Sequence, residues 1–176
     1  MKNLLSIIFV LFCLSSVNSQ QTIKDHSKSI KEQAEKMGEL LVKKEYDSFA
    51  RYNHPTILEM MGGKQKMIEV LEKSINEMEA EGISFTKVSF GQPSTVIPVK
   101  NELQCTVPQE IEMKMPNGRM VTKSTLIAVS EDNGKTWWFL DTAGKDISVM
   151  KQILPNLSSK IVIPEKEEPV IFKDEQ

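Results

Sequence analysis

The sequence predicts an α+β fold in which N-terminal helices pack on the concave face of a curved antiparallel sheet. Three observations predict it. Apolar residues recur at helical spacing as far as Gly82. From Leu103 onward they alternate with a period of two, the mark of a half-buried strand. Asn117-Gly118 and Asn133-Gly134 punctuate the second region as turns.

Met1-Lys2-Asn3 is followed by an apolar run from Leu4 to Leu14, too short to span a bilayer. With the small residues after it, this reads as a secretory signal peptide cut after Ser19. Phe12 before Cys13 argues against lipid modification. The expected destination is secreted, periplasmic or extracellular. The chain then divides into a signal peptide (1–19), one α+β domain (20–157), and a C-terminal edge segment with a flexible charged tail (158–176).

Removing residues 1–19, which carry only Lys2, makes the net charge of −2 one unit more negative. Such a chain has no basic footprint for nucleic acid and no basic amphipathic helix for anionic lipid. No stable membrane span is expected after cleavage. Cys105 then stands alone on the apolar side of its strand, a buried hydrophobe rather than a nucleophile.

Ile30, Ala34, Met37 and Leu41 stripe a first helix over residues 24–43. A short helix follows from Tyr46 to Tyr52, ended by His54-Pro55. Thr56–Met61 gives one more turn, closed by Gly62-Gly63. Met67, Val70, Leu71, Ile75 and Met78 stripe the next helix, 64–81. Ile83–Phe90 and Thr95–Val99 are short strands with proline-marked ends.

A two-residue turn at Asn117-Gly118 makes facing residue numbers sum to 235, so that Glu112 opposes Lys123 and Gln109 opposes Leu126. The face holding Leu103, Cys105, Val107, Ile111, Met113 and Met115 is inward, and Gln104, Thr106, Glu110, Glu112 and Lys114 face water. A three-residue loop with Gly134 as bulge is preferred, and it sends Trp138 and Leu140 inward. A two-residue loop would send Trp137 and Phe139 there, and the sequence leaves both open. A short helix, 146–154, ends at Pro155, and Ile161-Val162-Ile163 adds an edge strand or docks on the body.

Ser130-Glu131-Asp132-Asn133-Gly134-Lys135-Thr136-Trp137 matches the Asp-box, Ser-x-Asp-x-Gly-x-Thr-Trp. Asp132 is placed to accept backbone N–H bonds inside the turn. One copy behind three helices cannot build the bladed propellers in which the pattern is best known, so it reads as a hairpin device.

No metal site is expected. His26 and His54 are the only histidines and sit in different helical regions, and no HExxH or Cys pair occurs. No cofactor motif, nucleophile elbow or P-loop appears. The candidate ligand-binding residues are Gln109, Thr122 and Ser124, polar positions on the apolar face, with Tyr52 and His54 at a rimming helix end and Trp138 on the late strand. Apolar walls with a few convergent hydrogen-bonding groups describe a small-molecule cleft. The same groups have a plain reading as bonds to the helical lid or to buried water. No catalytic residue is assigned.

Leu40-Leu41-Val42-Lys43-Lys44-Glu45-Tyr46-Asp47-Ser48-Phe49, Tyr52-Asn53-His54-Pro55 and the hairpins from Leu103 to Asp141 together resemble the nuclear transport factor 2-like, or cystatin-like, α+β roll superfamily, over residues 24–154. The chain is similar to small secreted bacterial members of that shape. The resemblance implies a cone that binds a small molecule or a partner, and, as alternatives, an enzyme of ketosteroid-isomerase or polyketide-cyclase type or a module that dimerises through its convex face. Enzymes of this superfamily use a pocket carboxylate or histidine as base. Strands 103–115 and 120–129 offer no inward Asp for that role. Here His54 would be the base, with Gln109 or Tyr52 positioning substrate. Val121, Thr125, Ile127 and Val129 would supply a homodimer surface.

Overall fold

A computed structural model describes residues 25–174; the signal-peptide reading and its cleavage point lie outside the described residues. The element order is α1 (Ser27–Val42), α2 (Tyr46–Ala50), α3 (Pro55–Met60), α4 (Lys64–Ala80), β1 (Ser84–Phe90), β2 (Ile97–Val99), β3 (Glu102–Met115), β4 (Gly118–Ser130), β5 (Trp138–Asp141), α5 (Ile147–Ile153) and β6 (Val170–Lys173). The fold is α+β, a curved, open, antiparallel sheet with a few helices. Strand order is β1-β3-β4-β5. β2 shares one edge of β3 with β1, and β6 shares the far edge of β4 with β5.

α1 supplies the cover of the inner face. Ile30, Ala34 and Met37 pack on Phe90, Cys105, Val107, Leu126, Ala128, Trp137 and Phe139. Gly38 lets the helix lie close on β1: a Cβ there would sit 3.0 Å from the Val88 Cβ. α2 and α4 form a second layer around Tyr46, Ala50, Met67, Ile68 and Ile75, joined to the sheet through Phe85. Among the described residues no helix is long and apolar enough to cross a membrane.

Several expectations are corrected. The β3–β4 pairing runs Met115↔Gly118 to Leu103↔Ser130, so facing numbers sum to 233 and Pro116-Asn117 is the loop. Glu110 therefore faces Lys123, Glu112 faces Val121, and Gln109 faces Ser124. Glu112 instead meets Arg119, Oε2 to Nη1 at 3.0 Å. The reason lies at Gly118, which pairs with Lys173. A Cβ there would collide with the Phe172 carbonyl, so the glycine serves the close approach of β6 rather than the turn tip. A shift of two residues preserves the faces, and Gln109 stays inward.

The preferred direction of the tryptophans is also reversed. β5 pairs Ala128↔Phe139 and Val129↔Trp138, which sends Trp137 and Phe139 into the α1 core and Trp138 and Leu140 to the other side. The loop between β4 and β5 is seven residues long, and Asn133 and Gly134 both have positive φ, 59° and 77°.

The outer face is not left to water. Ile127, Val129 and Leu140 are buried under Met150 of α5 and under Leu154, Leu157 and Ile161. β6 forms where a flexible charged tail was expected, and residues 162–169 make a strap that crosses from Ile161 to β6. The surface assigned to a homodimer is thereby covered at Ile127 and Val129.

Candidate functional site

The register builds three adjoining cross-strand rows near the end of β1. Phe90, Gln109 and Ser124 face inward; Ser89, Glu110 and Lys123 face outward; Pro108, Thr125 and Thr142 form the next outward row. Thr142 continues the β5 ladder by donating its N–H to the Thr125 carbonyl at 3.0 Å. Pro108 is tolerated in mid-strand because its missing N–H points toward β1 at the point where that strand ends. There Gly91 donates to the Pro108 carbonyl at 2.9 Å.

A cleft of about 500 Å³ opens at these rows, between the sheet and the strap residues Pro164, Glu165, Lys166 and Glu167. Lys123 Nζ ties the strap down by a 3.0 Å bond to Glu167 Oε2, which raises the lysine pKa above its ordinary value. Thr125 and Thr142 line the cleft while only 8% and 1% exposed, and no hydrogen bond to either hydroxyl forms among the described residues. Hydroxyls that find no protein partner at a cleft wall are free to bond to whatever enters the cleft.

On the inner side Ser124 Oγ has one proton and two acceptors. Gln109 Oε1 lies at 2.9 Å and Asp141 Oδ2 at 3.3 Å. Turning the Gln109 amide over would let its nitrogen donate to Ser124 and release the Ser124 proton to Asp141. Asp141 is fixed in place by accepting the Ala143 N–H at 2.7 Å.

The structure brings Gln109 and Ser124 together and sets Thr122 two residues further along the same face, opposite Ile111. Tyr52 packs on the inner core. His54 and Trp138 meet elsewhere, edge to face with ring centroids 5.8 Å apart. Residues 52–54 dock on the free edge of β5: Phe139 donates to the Tyr52 carbonyl at 2.7 Å, and His54 donates to the Phe139 carbonyl at 3.2 Å. Trp138 is level with Val129 and Gln109 with Ser124, five residues along β4 or about 17 Å. Of the six candidate residues, Gln109 and Ser124 line the cleft while Tyr52, His54, Thr122 and Trp138 do not, and His54 does not share a site with Gln109.

His54 has a local task. Its Nδ1 accepts the Thr56 N–H at 3.2 Å and caps α3. Burial lowers its pKa from 6.5 against the opposing pull of Glu102, Glu131 and Glu59, so the neutral ring required for capping is favoured. Cys105 is fully buried, which pushes its thiol up to about 12 and leaves it unreactive. In the Asp-box hairpin, Asp132 Oδ1 accepts the Lys135 and Thr136 N–H groups at 3.0 and 2.9 Å, and Oδ2 accepts the Thr136 hydroxyl. Among the described residues no three His, Cys, Asp or Glu side chains cluster as metal ligands.

Sequence reasoning missed Asp141, Thr125 and Thr142. Asp141 had a readable signal: the loop that sends Trp137 and Phe139 inward sends Asp141 inward too. The threonines had a weaker one, since Leu126-Ile127-Ala128-Val129 is a continuous apolar run, the pattern of a strand covered on both faces.

No protein-family model matches this chain, and neither a curated protein nor a solved structure matches it.

Proposed function

We propose that this protein is a binding domain for a small molecule, held in the cleft between the outer sheet face and the strap. The observation that carries this reading is the pair Thr125 and Thr142, buried residues at the wall of a cleft of about 500 Å³ whose hydroxyls bond to no other described side chain or backbone group. That volume lies in the range of small-molecule sites, and Phe90, Pro108 and Pro164 add apolar lining. Elsewhere polar burial is well satisfied: the indole Nε1 of Trp137 is the one fully buried side-chain N or O atom without a partner among the described residues. Secretion remains part of the proposal, on the strength of the N-terminal sequence alone.

The test is to incubate the full chain with an extract of lipids, sterols and glycans and to weigh the desalted protein by native mass spectrometry. A retained small mass, lost from a folded Thr142→Val variant, is the expected result. A wild-type protein that retains nothing would overturn the reading.

One observation favours a second reading, an isomerase- or cyclase-type enzyme. Asp141 stands on the inner face and bonds to Ser124, where an inward carboxylate was missing from the sequence account. In that reading Asp141 is the base and His54 has no part. Turnover of a β,γ-unsaturated ketone by the wild type, abolished in Asp141→Asn, would establish it; no turnover by either would remove it.

A further inference from the structure

We infer that the cleft takes a small molecule bearing both hydroxyl groups and a primary ammonium, of the amino-sugar or amino-alcohol class, a conclusion that rests on the cleft being a binding site. Its two outward rows differ in chemistry. In the charged row Lys123 is already engaged by Glu167 at 3.0 Å. Glu110, beside it, has no cation within 4.0 Å among the described residues, and neither has Glu165 on the strap. Carboxylates outnumber lysines in the lining, three to two, so an anionic ligand is repelled and an ammonium is attracted at the Glu110 end.

The neighbouring row is uncharged and lies two residues along the strands, about 7 Å away. Its free groups are the hydroxyls of Thr125 and Thr142, each able to donate and accept. An alkyl tail placed there would leave both unpaired, whereas a hydroxyl-bearing body satisfies them. The cleft has room for a body the size of one monosaccharide.

Three near-isosteric probes separate the possibilities: glucosamine, glucose and glucuronate, each titrated into the full chain by calorimetry at a pH where the amine is charged. Glucosamine should bind about fivefold more tightly than glucose, the upper end of what an exposed ion pair contributes, and glucuronate less tightly than glucose. Glu110→Gln should erase the amine preference, bringing the affinity for glucosamine level with that for glucose. Thr142→Val should weaken glucosamine and glucose alike; should it fail to fold by circular dichroism, Thr125→Val serves in its place. Glucose or glucuronate binding as tightly as glucosamine would overturn the inference while leaving the cleft as a binding site. So would an amine preference that survives Glu110→Gln. Absence of binding by all three at millimolar concentration would also overturn it, and the extract experiment then decides separately whether the cleft binds anything.

Discussion

Gln33 of α1 holds the backbone at Trp137 with both ends of its amide. Its Oε1 accepts the Trp137 N–H at 2.9 Å, and its Nε2 donates to the Lys135 carbonyl at 3.1 Å. The first helix is thus clamped to the last hairpin across 104 residues of sequence. Gln33→Ala strands a part-buried N–H, a loss of about 1–3 kcal/mol. Thermal unfolding should show a midpoint several degrees lower. Gln33→Glu keeps the acceptor but turns a carboxylate toward the Lys135 carbonyl, and should fall between the two. An unchanged midpoint in Gln33→Ala would show that the clamp contributes nothing.

Asp132 gives the hairpin an acid-sensitive element. Hydrogen bonds from the Thr136 N–H and hydroxyl, then from Ser130 and Lys135, hold its carboxyl at about 2 against an ordinary 3.8. The folded value is the lower one, so the unfolded chain takes up the proton first. The stabilisation is complete above 3.8 and is lost as pH falls through about 2. Asp132→Asn should lower stability at neutral pH and flatten its decline over that acid range. Parallel acid unfolding curves for the two proteins would rule the mechanism out.

Gly38→Ala sets two effects against each other. Helix propensity favours alanine by about 1 kcal/mol. The added methyl would stand 2.9 Å from the Phe90 ring and 3.0 Å from the Val88 Cβ. The ring edge has some freedom, but a β-branched Cβ fixed in a strand has little. Overpacking of this kind costs about 1–3 kcal/mol, so the variant should be net destabilised. A rise in the unfolding midpoint would mean that α1 can lift from β1 without penalty.

Local pattern made the helices and β3 legible, because a stripe at helical spacing or a strict alternation is set by neighbours in sequence. What escaped was set by distant chain. The β3–β4 register turned on Gly118, whose reason is the passage of Phe172 and Lys173 over it. The outer face was read as wet because the residues that cover it, Met150 to Ile161, carry too short a pattern to announce a docking partner. The strap looked like a tail because Glu165-Lys166-Glu167-Glu168 is charged, yet one of those charges, Glu167, is what anchors it to Lys123. Gln109 was correctly singled out as polar on the apolar side. The cleft takes Gln109 and Ser124 into its lining together with the outward rows, and reading the C-terminal residues as a loose tail hid the part played by Thr125 and Thr142.

His54 should make stability depend on pH near neutrality. Capping α3 requires an unprotonated Nδ1 to accept the Thr56 N–H, and burial beside Trp138 lowers the ring pKa below 6.5. Because the folded value is depressed, the unfolded chain binds the proton first. The His54 contribution is whole above 6.5 and declines as pH falls below it toward the folded value. His54→Asn preserves a capping side chain without a titrating group. The wild-type midpoint should therefore fall more steeply than that of His54→Asn as pH drops through this window. His26 is present in both proteins and cancels from the comparison. Equal slopes would mean that the ring stays capped when protonated, which a donor at Nδ1 cannot do, and the capping role would have to be abandoned.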